Sequence, residues 1–212
     1  MNSAEIGCDK GSEKERERLM LAMFTFSAAH SGGIAALIRH LQADVDLAEQ
    51  CVWALGNIAA DSMQCRDLLL DGGVVEGLMP FMASKRVSMV KNVTWTMSNL
   101  CNGVGDRHWP RIQAALPMFA QSLLWKDEEI LKDVCWSLSY ISGGTRERIQ
   151  AVLNLNVGVL RRLVQLLAHR SPSVQHAALI TIGNIVTGVC VCVCVCVCVC
   201  VCVCVVRALG SV

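Results

Sequence analysis

From Gly32 to Gly188, apolar residues recur with helical period, broken at short intervals by glycine pairs and polar clusters. In DVDLAEQCVWALGNIAAD, residues 44–61, Val45, Ala48, Val52, Leu55 and Ala59 fall at i, i+3, i+4 spacing. That spacing predicts a helix with one apolar face turned to a core. A second stripe, Gln50, Trp53, Asn57 and Asp61, runs beside it, turned by about 100°, the rotation of a single residue. The stripe returns as Asn92, Trp95 and Asn99 in NVTWTMSNLCNG, and as Asp133, Trp136 and Tyr140 in DVCWSLSYISGG. AALITIGNIVTG keeps Asn184 but has Ile180 in the tryptophan's place. Positions 57, 99, 140 and 184 step by 42, 41 and 44 residues. A near-constant period of this size predicts stacked helical units that bury their apolar faces against one another. In a single copy, the Trp is most simply a core anchor and the Asn a satisfied buried polar group. Recurrence of the same polar–aromatic–polar row argues instead for a shared recognition surface.

The segments between these helices complete the unit. GGIAALIRHL predicts a helix with Ile34, Leu37, Ile38 and Leu41 on its apolar face, followed by a turn over 42–46. MQCRDLLLDGG predicts a short helix stopped by Gly72–Gly73. VVEGLMPFMAS and IQAALPMFAQSLLW predict helices that Pro80 and Pro117 should kink or end. Val104–Pro110 reads as a loop and is the least repeat-like part of the interior. Asp127, Glu128 and Glu129 suit the first turn of the Trp136 helix, where carboxylates meet the positive end of the dipole. TRERIQAVLNLN reads as short and GVLRRLVQLLAHR as amphipathic, with Arg161 and Arg162 on a solvated face. Ser171 and Pro172 are placed as N-cap and first residue of the last helix. Each unit thus reads short helix, helix, longer helix.

Composition narrows the function. The formal net charge of +1 gives no global field for nucleic acid. Residues 1–18 are polar and charged, without a secretory pattern. Of 13 cysteines, eight lie between Cys190 and Cys204. Cys51, Cys101 and Cys135 fall inside helical patterns, where a thiol acts as a small apolar group. A reducing compartment is expected, with no disulfide framework. His30, His40, His108, His169 and His176 lack partner spacing, so no enzyme, cofactor or metal site is expected.

Residues 189–204 alternate Val and Cys without exception. As protein, this is an aggregation-prone strand lacking gatekeepers. A membrane span needs no such alternation, and a four-thiolate metal site needs turns that are missing. A GT dinucleotide repeat read in frame encodes Val-Cys directly. The expectation is a low-complexity tail over 189–212 of translated intron or gene-model origin, preceded by repeats over 32–188. Residues 1–31 are expected to be a disordered, non-repeat leader.

The three-helix unit follows the armadillo plan. The segments WALGNIAADSMQCRDLLLDGG, NVTWTMSNLCNG, ALPMFAQSLL, DEEILKDVCWSLSYISGGTRERIQAV and SPSVQHAALITIGNIVTG closely resemble importin alpha, the karyopherin alpha adaptor. The resemblance covers about 32–188. It implies an all-α, right-handed superhelical armadillo solenoid of about four repeats, an internal block truncated at both ends. It also implies an adaptor that binds lysine-rich nuclear localisation signals of cargo proteins in a concave Trp/Asn groove, in cytoplasm and nucleus.

Residue roles follow from the same resemblance. Trp53 and Trp95 would wall pockets for lysine stems, and Asn57 and Asn99 would bond the peptide backbone. Asp61 would meet the key lysine's ammonium. Gln50, Asn92 and Asp133 match further groove positions. Trp136 and Tyr140 match the family's break in the ladder, and Asn184 matches a minor-site Asn. Ile180 departs from the family, which has Arg there. The family's importin-beta-binding segment is rich in Arg and Lys. Residues 1–31 hold four such residues against five acidic ones, so that segment is expected to be absent. Neither nucleic acid nor membrane is an expected partner. The alternative is a non-functional fragment or a generic armadillo interaction scaffold from a truncated transcript.

Overall fold

The computed structural model of the protein describes residues 32–155 and 157–188. The expected leader over 1–31 and the Val-Cys tail over 189–212 lie outside the described residues. Within them the chain is all helix, with no strand. In order come α1 (Gly33–His40), α2 (Val45–Asp61), α3 (Met63–Asp71), α4 (Val74–Leu78), a 3-10 turn (Met79–Ala83) and α5 (Val87–Cys101). They are followed by α6 (Trp109–Ser122), α7 (Glu128–Ser142), α8 (Arg146–Leu153), α9 (Val157–Leu166) and α10 (Pro172–Gly188).

The four long helices α2, α5, α7 and α10 end the successive units and stack side by side in that order. The apolar stripe foreseen on α2 is its core face: Ala48, Val52, Leu55 and Ala59 are all buried. Val45 is the exception at 43% exposed, because it stands in the first turn, at the rim of the helix. The core continues through Leu69, Leu78, Met89, Met97, Phe119, Leu138 and Ile182. Cys51, Cys65, Cys101 and Cys135 are buried free thiols. Burial pushes the Cys101 and Cys135 thiols up to about 12, so both act as apolar filler at neutral pH.

Local chemistry sets the helix ends. Asp44 caps α2 by accepting from the backbone N–H groups of Asp46 and Leu47, and Ser62 caps α3 through the Cys65 N–H. Gly73 takes φ 79°, a left-handed conformation that lets the chain turn between α3 and α4. Pro80 acts as expected: α4 stops at Leu78 and tightens into the 3-10 turn. Pro117 does not end its helix, since α6 runs from Trp109 to Ser122 across it. The carbonyl that loses its partner belongs to Gln113, which is exposed to water, so the break is tolerated.

Ser171 and Pro172 stand where expected, just before and at the start of α10, and the Ser171 carbonyl accepts from the Gln175 N–H (3.1 Å). Ser171 turns its hydroxyl to Glu128 Oε1 (2.5 Å) in the preceding unit, a link across 43 residues that local spacing does not reveal. Of the basic pair, Arg161 is exposed as expected, whereas Arg162 is half-buried: its Nε–H donates to the Leu123 carbonyl (2.9 Å).

The third unit lacks its short first helix. The loop expected over 104–110 is shorter, since α6 opens at Trp109. The neighbouring first helices, α3 and α8, hold this loop from both sides. From α8, Arg148 donates to the Val104 carbonyl (2.8 Å) and Asp106 (2.6 Å), with its guanidinium 5.3 Å over the Trp109 ring. From α3, Asp71 meets His108 Nε2 (3.0 Å) and Arg107 (2.7 Å), and Asp67 lies 3.4 Å from His108 Nδ1. The His108 hydrogen bond, aided by Arg107, holds the Asp71 carboxyl below the usual range.

Candidate functional site

The polar–aromatic stripe lies on the stacked long helices, and each junction fixes its row differently. Between α2 and α5 the fixing residue is Gly56. A Cβ there would collide with the Trp95 ring and with Thr96 Oγ1. The bare backbone of α2 is therefore the seat on which Trp95 rests, beside Asn57. Thr96 Oγ1 donates to the Val52 carbonyl (3.2 Å) and to Asn92 in its own helix (2.8 Å). One turn later, Asn99 Nδ2 donates to the Gly56 carbonyl (3.3 Å).

The junction of α7 and α10 repeats only the hydroxyl and carboxamide, with Ser139 in the place of Gly56 and Ile180 in that of Trp95. Thr181 Oγ1 donates to the Cys135 carbonyl (3.0 Å), and Asn184 Nδ2 donates to Ser139 O (3.0 Å). A hydroxyl and a carboxamide three residues apart thus grip two carbonyls of the neighbouring helix. One amide hydrogen of Asn99 and one of Asn184 are committed in this way. An Asn amide carries two hydrogens and one acceptor oxygen, and that of Asn184 also reaches Ser142 Oγ (3.5 Å).

The central junction, α5 with α7, departs from this. Ser137 stands where Thr96 and Thr181 stand, and bonds Asp133 O in its own helix (2.9 Å). Tyr140 replaces Asn and stacks on Trp136 (5.7 Å between centroids, 26°), while His176 of α10 lies against the same indole (5.7 Å, 58°). At the rim of this junction, Lys91 bridges Asp127 (3.0 Å) and Glu129 (2.7 Å). Partial burial pushes the Asp127 carboxyl up. Lys91 and the N–H groups of Ile130 and Glu129 outweigh this and hold it below the usual range.

Exposure along the stripe falls from α2 toward α7. Gln50, Trp53 (54% exposed), Asn57 and Asp61 face water. Asn92, Trp95, Asn99, Trp136, Tyr140 and Asn184 are half-buried, and Ile180 is exposed. Asp133 is 6% exposed with Lys132 at 3.3 Å, and desolvation pushes its carboxyl up. It is the least accessible residue of the row, and Lys132 is its ion-pair partner. Asp61 ends α2, where the dipole is negative, and accepts from Cys65 Sγ (3.6 Å). A carboxylate at that pole raises the local attraction for cations.

Sequence reading missed Gly56, Thr96, Thr181 and His176. The recurring Thr-x-x-Asn at 96–99 and 181–184 was the available signal for two of them. The arrangement can hold an extended chain by indole faces and amides. Among the described residues, no group of three or more His, Cys, Asp or Glu is placed to hold a metal ion. No described helix is long and apolar enough to cross a membrane.

The armadillo/β-catenin-like repeat family matches the chain at residues 28–60, 62–102 and 146–187. The unmatched interval contains the unit without its first helix. Importin subunit alpha-1b of Oryza sativa subsp. japonica is 45% identical over 160 residues, 74% of this chain and 30% of that protein. Importin subunit alpha-3 of Arabidopsis thaliana is 48% identical over 160 residues, again 74% of this chain and 30% of that protein. The chain thus spans about 30% of the length of these relatives. Among solved structures, a designed armadillo repeat protein in complex with peptide (KR)4 is similar with TM-score 0.72, over 86% of this chain and 80% of that chain, at 22% identity. Computationally designed armadillo repeat proteins for modular peptide recognition give TM-score 0.75 over 85% of this chain and 79% of that chain, at 23% identity. These two likenesses carry the fold alone.

Proposed function

The chain belongs to the armadillo/β-catenin-like repeat family, and from that premise we propose that residues 32–188 are a cargo-binding piece of a nuclear-import adaptor of the importin-alpha kind. It is a binding module rather than an enzyme, shared between cytoplasm and nucleus, and its ligands are lysine-rich nuclear localisation signals. The single observation that carries this reading is the fixed Trp–Asn row: Trp95 seated on Gly56, Asn99 tied to the Gly56 carbonyl, and Trp53 and Asn57 open beside them.

The physics of that row suits a stretched cationic chain. An indole face attracts an ammonium by about 0.5–1 kcal/mol when exposed and ~2 kcal/mol when desolvated. Lysine stems pack on apolar surface while their heads stay in water. Helices packed about 8–10 Å apart meet a strand that advances about 3.3 Å per residue, so one Asn per helix reaches the peptide every two or three residues. Asp61, on an exposed rim, adds only about 0–1 kcal/mol. Affinity therefore comes from several modest pockets, and Trp53 and Trp95 supply the larger share.

Titration of the full chain with a short lysine-rich peptide, under reducing conditions, tests the reading. We expect weak, salt-sensitive binding that falls about tenfold or more in Asn57→Ala and in Trp95→Ala. Binding indifferent to both substitutions would favour a generic scaffold using another face.

A further inference from the structure

The faces of α2 and α10 that carry no neighbouring long helix among the described residues are complementary. Aligning the helices on Asn57 and Asn184 pairs Glu49, Val52 and Gly56 of α2 with His176, Leu179 and Gly183 of α10. In α2 this face is covered by α5: Val52 is 0% exposed, and Gly56 is filled by Trp95 and Thr96. In α10 the same face is open: Leu179 is 57% exposed, and a Cβ on Gly183 would meet nothing within 4 Å. Gly183 is therefore an empty copy of the Gly56 seat.

The other side of α2 presents what such a seat receives. Gln50, Trp53, Ala54 and Asn57 correspond to Asn92, Trp95, Thr96 and Asn99 of α5. Thr96 is 0% exposed, whereas Ala54 is half-exposed and Trp53 largely so. Asn99 and Asn184 both donate to a carbonyl of the preceding long helix. Asn57 instead turns back to the Trp53 carbonyl of its own helix (3.2 Å).

Charge at the rim agrees. In two junctions, the residue just before the later helix meets one of opposite charge in the earlier helix: Arg86 with Glu49 (3.1 Å) and Asp127 with Lys91 (3.0 Å). The matching pair across an α10–α2 junction is Asp44 and His176. Asp44 uses Oδ1 to cap its helix, as Asp127 does, and Asp127 offers its Oδ2 to Lys91.

We infer that a second copy of this chain docks head to tail, α2 of one copy on α10 of the next. Trp53 fills the Gly183 seat, the Asn57 amide donates to the Gly183 carbonyl, and His176 donates to Asp44. The two surfaces differ, so the contact is heterologous and extends as a line of copies. The indole–amide row then continues from copy to copy.

Sedimentation velocity of the full chain in reducing buffer tests this, with one substitution at each end. Leu179→Glu puts a charge on the α10 face and Ala54→Glu puts one on the α2 face; both positions touch solvent. The parent should grow in mass with concentration, and each variant alone should need about tenfold more protein to do so. A 1:1 mixture of the two variants keeps one intact pair of faces and should stop at a dimer. His176→Asp, which sets like charges against Asp44, should weaken association at the same face and serves as a second block. A parent that stays monomeric overturns the inference. So does association that neither variant alters, as a contact through the tail would give, or a mixture that fails to pair.

Discussion

The junction of α2 with α5 and that of α5 with α7 join helices of the same kind by different chemistry. In the first, a glycine seat, a hydroxyl and a carboxamide bring Trp95, Thr96 and Asn99 onto the backbone of α2. In the second, Ser98 stands in the place of Gly56, Ser137 in that of Thr96 and Tyr140 in that of Asn99. The serine bonds its own helix and meets only the Cys101 thiol across the junction, and the charged link moves to the rim, to Lys91 with Asp127 and Glu129. Thr181 and Asn184 restore the first pattern one unit later. The hydroxyl and the carboxamide therefore come and go together. A break in the asparagine ladder is also a change in how neighbouring units are fastened.

Breaking the first junction at its seat should have the largest effect. Gly56→Val drives two methyl groups into the Trp95 ring and should lower stability by roughly 1–3 kcal/mol, the range for overpacking a close-packed site. Gly183→Ala faces open space and should raise stability by about 0.5–1 kcal/mol, as alanine replaces glycine in a helix. Chemical denaturation of both variants checks the pair, and equal effects would show that the two glycines are not counterparts. Next in size is the hydroxyl. Thr96→Val keeps shape but removes the hydroxyl's bond to the Val52 carbonyl, a loss of about 1 kcal/mol. Ser137→Ala removes a bond within one helix and a weak contact with the Cys101 thiol, and should do clearly less. If the two losses match, the hydroxyl at 96 does not fasten the helices.

The smallest effect concerns pH. Burial raises the Asp133 carboxyl, with Lys132 opposing. Below the unfolded carboxyl's ordinary range, both folded and unfolded forms are neutral and the residue is silent. Above its raised folded value, the buried charge opposes folding. Asp133→Asn should therefore stabilise the chain at pH 7 by less than about 1 kcal/mol. The gain should shrink as pH falls through the Asp133 titration, as thermal melts at several pH values would show. A gain that grows in acid would mean that Asp133 is stabilised as an anion.

Much of this arrangement was legible beforehand, for definite reasons. Trp53, Trp95, Trp136 and their polar partners recur at a period that only stacked units produce, and glycine pairs at 72–73 and 143–144 mark where helices stop. What escaped depends on partners 39 to 46 residues away, as in Arg148 with Val104, Arg162 with Leu123, Ser171 with Glu128 and Thr181 with Cys135. Local spacing gives the face a side chain leaves from, but not the carbonyl it reaches. Gly56 read as one weak helix position, because its value lies in the atom it lacks and in a ring that arrives from the next unit. Asp133 kept the right spacing but is buried, and periodicity alone does not measure depth.

The distribution of indoles has an optical consequence. Trp109 lies in the interior beneath the Arg148 guanidinium, while Trp53 stands largely in solvent. Intrinsic fluorescence should therefore contain a blue component from the interior and a red one from the ladder. A molecule settling on the ladder would move the red component and leave the blue in place, so the protein carries its own reference against dilution and lamp drift.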